Sequence, residues 1–134
     1  MANNLRRLFG AAWRLKKRRE FLRVQRRGKK LHLRFFMVFT APRAGASRTR
    51  TPQRLGVTIT KKVGNAVCRN GVKRRVREVF RHRRGELPAD IDIVFVAKRN
   101  AGGVSYAEVM EDFDALVRQL RAPNANAAPE ETRS

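Results

Sequence analysis

Residues 54–98, RLGVTITKKVGNAVCRNGVKRRVREVFRHRRGELPADIDIVFVAK, decide the fold. They open on alternation. Leu55, Val57 and Ile59 fall on one face of an extended chain and Gly56, Thr58 and Thr60 on the other, which predicts a strand over residues 54–61. Gly64 then turns the chain. Asn65, whose short side chain can accept from a free backbone N–H, is placed to cap a helix running to about Arg84, where Gly85 and Pro88 end it. Val67, Val72, Val76, Val79 and Phe80 give that helix an apolar stripe for packing. From Asp90 to Lys98 the run is nearly continuous in β-branched and aromatic residues, the pattern of a central strand buried on both faces.

Outward from this core, residues 15–27 read as a short helix with Phe21 and Val24 on one face and Gly28 at its end. Residues 31–40 read as one strand, Leu33, Phe35, Met37 and Phe39 alternating with His32, Arg34, Phe36 and Val38. Residues 41–53 carry Pro, Gly, Ser and Arg without apolar periodicity and read as a flexible loop. Ser105 with Glu108 is a capping-box signature opening a last helix, striped by Tyr106, Val109, Met110, Phe113, Leu116, Val117 and Leu120. The expected fold is α+β: a single-domain two-layer α/β sandwich, ordered α-β-β-α-β-α, with a small central sheet and a basic helix after the second strand. Residues 1–14 form a basic N-terminal extension, 15–121 the domain, and 122–134 a disordered tail.

Charge sets the functional class. The 134 residues carry a net charge of +21, with 42% hydrophobic residues, enough to build a core. Self-repulsion on this scale opposes compaction and is relieved by a polyanion. The charge concentrates on the 66–84 helix, where Glu78 is the only acid between Lys61 and Arg84. Arg69, Lys73, Arg77 and Arg81 recur every four residues and share one side, with Asn70 and Arg74 in the adjacent row. A merely solvated face mixes signs; this one does not. Arginine dominates, which favours forked recognition of phosphate. Lys61, Lys62 and Asn65 stand at the helix entry, where backbone N–H groups add to an anion site.

Other classes recede. The turn is too short for a P-loop, and no acid, histidine or nucleophile falls at catalytic spacing, so the chain reads as a binding component. Cys68 is the single cysteine, which favours a reducing, cytoplasmic setting and a packing role; with only His32 and His82 besides, a metal-thiolate site is not expected. No apolar run reaches the roughly 20 residues of a membrane span. The Arg-rich N-terminus is poor in Ser and runs without a break into the domain, so it reads as an extension rather than a transit peptide.

The segment KKVGNAVCRNGVKRRVREVFR resembles the signature of the bacterial ribonuclease P protein family, approximately KKVGNAVxRNRxKRxxRE. REFLRVQRRGKK is similar to the family's first helix and turn, RFFMVF to its first long strand, and DIVFVAKRNAGGVSYAEVMEDFDALVRQL to its closing strand and helix, so the likeness spans roughly residues 15–121. The resemblance implies that a separate RNA subunit, using Mg2+, removes the 5′ leader of precursor tRNA. The protein would then be a non-catalytic component binding the catalytic RNA and the precursor, with no tightly held cofactor, small-molecule substrate or membrane. It places the RNA-facing positions at Lys61, Lys62, Asn65, Arg69, Asn70, Lys73, Arg74 and Arg77. Phe21, Phe36 and Phe39 occupy the places of the family's leader-cleft aromatics. Two positions depart from the pattern: Gly71 stands where the family usually has a second Arg, and Gln25 where an aromatic is frequent. A generic RNA-binding or RNA-chaperone protein is the alternative, and a protein docking on anionic membranes a more distant one.

Overall fold

The computed structural model describes residues 13–43 and 53–121. Within them the elements are α1 (Arg18–Arg27), β1 (Lys29–His32), β2 (Phe36–Pro42), β3 (Arg54–Thr58), α2 (Ala66–Arg83), β4 (Ile91–Ala97) and α3 (Tyr106–Arg121), with short 3-10 turns at Lys61–Val63, Arg84–Glu86 and Arg99–Ala101. The strands form one four-stranded sheet in the order β1-β2-β4-β3. β4 lies inside it, antiparallel to β2 and parallel to β3, as its unbroken apolar run requires. The parallel β3–β4 pair is joined through α2, so the basic helix is the crossover of a β-α-β unit.

The expected α+β sandwich is present, with one strand more than the sequence predicts. Residues 31–40 are not continuous: Lys29–His32 and Phe36–Pro42 are two antiparallel strands with a tight turn between them. The turn contains neither Gly nor Pro and is held from outside. The backbone N–H of Phe35 donates to Asp112 Oδ2 at 2.8 Å and that of Arg34 to Oδ1 at 3.3 Å, while Lys98 Nζ reaches the Leu33 carbonyl at 2.5 Å. Burial raises the Asp112 pKa, and the backbone donors from Phe35 and Arg34 oppose the rise.

The turn resets the parity of β2. Phe36 and Val38 point with Leu31, Leu55, Ile93 and Phe95 into the main core, under Val72, Val76, Val79 and Phe80 of α2 and Val109, Phe113 and Leu116 of α3. α1 lies on the other face, where Val24 and Leu15 close a smaller core over Ala41 and Val94, with Phe21 and Phe39 half-buried beside them. α1 thus adds a partial third layer. At one end of this face the fully buried Asp92 carboxylate binds Arg54 through two bonds of 2.9 Å and also meets Arg23; Arg54 reaches on to Glu20 at 3.3 Å.

Two boundaries move. Trp13, assigned by the sequence reading to the extension, is 4% exposed in the main core, its ring centroid 5.3 Å from that of Phe80. Residues 13–15 run beside β3, Leu55 N–H donating to the Trp13 carbonyl and Leu15 N–H to the Leu55 carbonyl. The folded domain therefore already includes Trp13. The stripe of α3 is narrower than predicted, since Tyr106 and Met110 are exposed. The expected tail at 122–134 and residues 44–52 of the expected loop at 41–53 lie outside the described residues; Ala41 and Pro42 belong to β2, and Gln53, at the loop's end, is buried.

Candidate nucleic-acid interface

α2 begins as the sequence predicts: Asn65 Oδ1 accepts the Cys68 N–H at 2.9 Å. Its far end is closed by a partner invisible to local sequence. The amide nitrogen of Gln53 lies 2.9–3.0 Å from the carbonyls of Arg84, Leu87 and Pro88, and its two protons, shared among them, tie the turn after the helix to residue 53. Arg83 bonds Glu86 and Asp114, pinning α2 to α3. Its proton is held more tightly than usual by Glu86, then Asp114. Arg83 therefore serves the fold, and so does Arg84, stacked over Trp13 and Phe80.

The remaining cations of α2 are differently placed. Asn70, Lys73, Arg74, Arg77 and Arg81 line a groove of about 370 Å³ with Trp13, Arg14 and Glu78. Among the described residues none of Lys73, Arg74 and Arg77 pairs with a carboxylate; Glu78 is taken by Arg81 at 2.6 Å and His82 at 3.1 Å. Burial, then the neighbouring Arg14, lowers the pKa of Arg77. Like charges held together without a counterion leave the groove open to a phosphate. Arg14 was not singled out by the sequence reading: its position depends on the bridge between residues 13–15 and β3, a contact 41 residues apart in number.

A second, wider cleft of about 510 Å³ runs between α1 and the β3 edge, lined by Lys16, Arg18, Phe21, Leu22, Gln25, Thr58, Ile59 and Lys73 among others. Phe21 lies over Gly56, where an added Cβ would meet the ring at 2.5 Å; only glycine lets the aromatic settle this close to the sheet. Lys73 lines both hollows and joins the groove to the cleft.

The predicted residues therefore separate. Asn70, Lys73, Arg74 and Arg77 come together in the groove. Lys61 and Lys62 are exposed on the turn before α2, and Arg69 folds back so that its Nε donates to the Gly64 carbonyl at 3.1 Å. Asn65 is committed to its cap. Of the aromatics, Phe21 lines the cleft. Phe39 shares that face of the sheet but lies outside the lining, its ring 5.9 Å from Lys30 Nζ. Phe36 is a correction. It is fully buried, edge-on to Phe95, because the turn at 33–35 directs it into the core, and it presents no surface to a base. Val67 is a second correction: it is 81% exposed and stands outside the packing stripe. Among the described residues no three His, Cys, Asp or Glu side chains gather as a metal-binding group, and no helix is long and apolar enough to cross a membrane.

A basic α+β domain whose crossover helix holds Lys73, Arg74 and Arg77 without carboxylate partners among the described residues, beside a cleft walled by Phe21, has the features of a small RNA-binding protein. Residues 9–121 match the family model described as Ribonuclease P. The ribonuclease P protein component of Desulfovibrio desulfuricans is 43% identical over 110 residues, covering 80% of this chain and 82% of the relative; that of Citrifermentans bemidjiense is 39% identical over 113 residues, covering 84% and 92%. Among solved structures, the ribonuclease P protein of Thermotoga maritima superposes with a TM-score of 0.68 at 32% identity, covering 79% of this chain and 96% of that one. A Staphylococcus aureus ribonuclease P protein mutant with defective mRNA degradation activity gives 0.74 at 27% identity, covering 88% and 96%. The chain belongs to the ribonuclease P protein family.

Proposed function

We propose that this chain, a protein component of the tRNA-processing ribonuclease P, works by holding two RNAs at once: the catalytic RNA subunit on the α2 groove and the 5′ leader of precursor tRNA in the cleft beside α1. The observation that carries this reading is Lys73, which lines both the groove and the cleft. Groove cations neutralise phosphates where the two RNAs approach and so lower the repulsion between them. In the cleft, Phe21 offers a face to a leader base, with Lys16 and Arg18 for its backbone. Gln25, where the family often has an aromatic, adds hydrogen bonding in place of a second stacking surface.

Bond cleavage falls to the RNA subunit, with Mg2+ as its metal, and the protein contributes no reacting group. The compartment is the cytoplasm, where the tRNA precursors are met. Lys61, Lys62 and Arg69, at the start of α2, extend the phosphate contacts beyond the groove, and Asn65 acts by fixing the helix start. The experiment compares precursor with mature tRNA as competitors for the assembled particle. Preference for the precursor that shrinks in Phe21→Ala and in a leaderless substrate is the expected result. Equal affinity for precursor, mature tRNA and arbitrary RNA would instead make the chain a generic RNA binder.

A further inference from the structure

α2 bears another groove, of about 320 Å³, lined by Val67, Cys68, Gly71, Arg74, Arg75 and Gly103. None of these residues carries a carboxylate. Val67 is 81% exposed, although Val72, Val76 and Val79 on the same helix are at most 1% exposed. Over Gly71 lies the guanidinium of Arg75: a Cβ built at position 71 would meet Arg75 Nη1 at 3.0 Å. Among the described residues no carboxylate pairs with Arg75. The gap left by the missing side chain thus holds a guanidinium beside an exposed apolar wall.

We propose that Arg75 and Val67 form a nucleotide subsite for the catalytic RNA, with Gly71 as the gap that seats the guanidinium. The forked donors take a phosphate, and Val67 with the guanidinium plane takes a ribose or base face. An RNA is the occupant because Arg74 lines both this groove and the cationic groove already described, so one strand can follow the helix from one to the other. The subsite rests on the RNA-binding reading above and extends it to Arg75 and Val67, neither of which belongs to the signature's RNA-facing positions.

The test measures affinity of the full chain for its cognate catalytic RNA as a function of salt, with thermal melts confirming that each variant folds. Arg75→Gln weakens binding about five- to tenfold and lowers the salt slope by about one counterion. Arg75→Lys, which keeps the charge but loses the fork, falls between Gln and the native residue. Gly71→Ala raises the melting temperature yet weakens binding, because the new Cβ displaces the Arg75 guanidinium. The catalytic RNA also slows iodoacetamide labelling of Cys68, which lines the groove. Native affinity and slope in both Arg75→Gln and Gly71→Ala, with Arg74→Ala still weakened, would overturn the subsite and leave the RNA-binding reading standing. Failure of the native chain to bind the catalytic RNA more tightly than an arbitrary RNA would overturn both.

Discussion

At the scale of single residues, the same side-chain type does opposite work according to its neighbours. Arg83 and Arg54 are tied to carboxylates and hold elements together, whereas Arg74 and Arg77 face a groove with no free acid. Two substitutions separate structural from functional cost. Gly71→Ala replaces a helical glycine and stabilises the domain by about 0.5–1 kcal/mol in urea unfolding, the nearby guanidinium being a flexible side-chain end that can move. Asp112→Ala removes the acceptor of the buried Phe35 N–H and destabilises by about 1–3 kcal/mol in the same assay. The first effect follows from helix propensity and is legible in the immediate sequence; the second is not. Asp112 serves a turn 77 residues away, and Gly71, which the sequence shows only as a missing family arginine, is found with Arg75 lying across it.

At the scale of elements, local rules reached α2, its Asn65 cap, the Ser105–Glu108 capping box and the central strand β4. They did not reach the β1–β2 turn, because apolar alternation continues through Leu33, Arg34 and Phe35 and the stop comes from α3 and Lys98. The resemblance places Phe36 in a cleft, and that one turn directs it into the core instead. The groove was half legible. The i, i+4 spacing gathers Asn70, Lys73, Arg74 and Arg77, but the opposite wall, Trp13 and Arg14, arrives through a long-range bridge to β3. The groove also ranks its cations. Arg74, open on two hollows, is predicted to matter more than Arg69, whose Nε is engaged by the Gly64 carbonyl. Arg74→Ala should flatten the plot of log affinity for the catalytic RNA against log salt by about 0.7–0.9, and Arg69→Ala by less. Equal slopes in both variants and the native chain would mean that these arginines are solvated rather than bound to phosphate.

At the scale of the whole molecule, a net charge of +21 is carried by a fold that uses its few acids as fasteners. Glu20, Glu78 and Glu86 all have pKa values below the usual 4.5. Burial opposes the shift at Glu20 and Glu78, where hydrogen bonds from the Lys17 backbone and from Arg81 outweigh it; Arg83 is the main cause at Glu86. In the unfolded chain these carboxylates take up protons at higher pH than in the native one. Acid therefore favours unfolding, and stability present above about pH 4.5 is lost as the pH falls through the lower native values. Asp112, shifted upward, works in the opposite sense and softens the loss. Urea titrations at several pH values should show this decline, and Glu20→Gln should make it shallower; an unchanged acid slope in that variant would contradict the assignment.

In the proposed function this excess of positive charge neutralises RNA phosphates, a contribution expected to matter most when Mg2+ is scarce. On the proposed function, adding the native chain to a cognate catalytic RNA at low Mg2+ should raise cleavage of precursor tRNA above that of the RNA alone, and the combined Lys73→Ala and Arg74→Ala variant should fail to do so while remaining folded. Cleavage at low Mg2+ that proceeds equally well with the native chain, with the variant and with no protein would contradict the account.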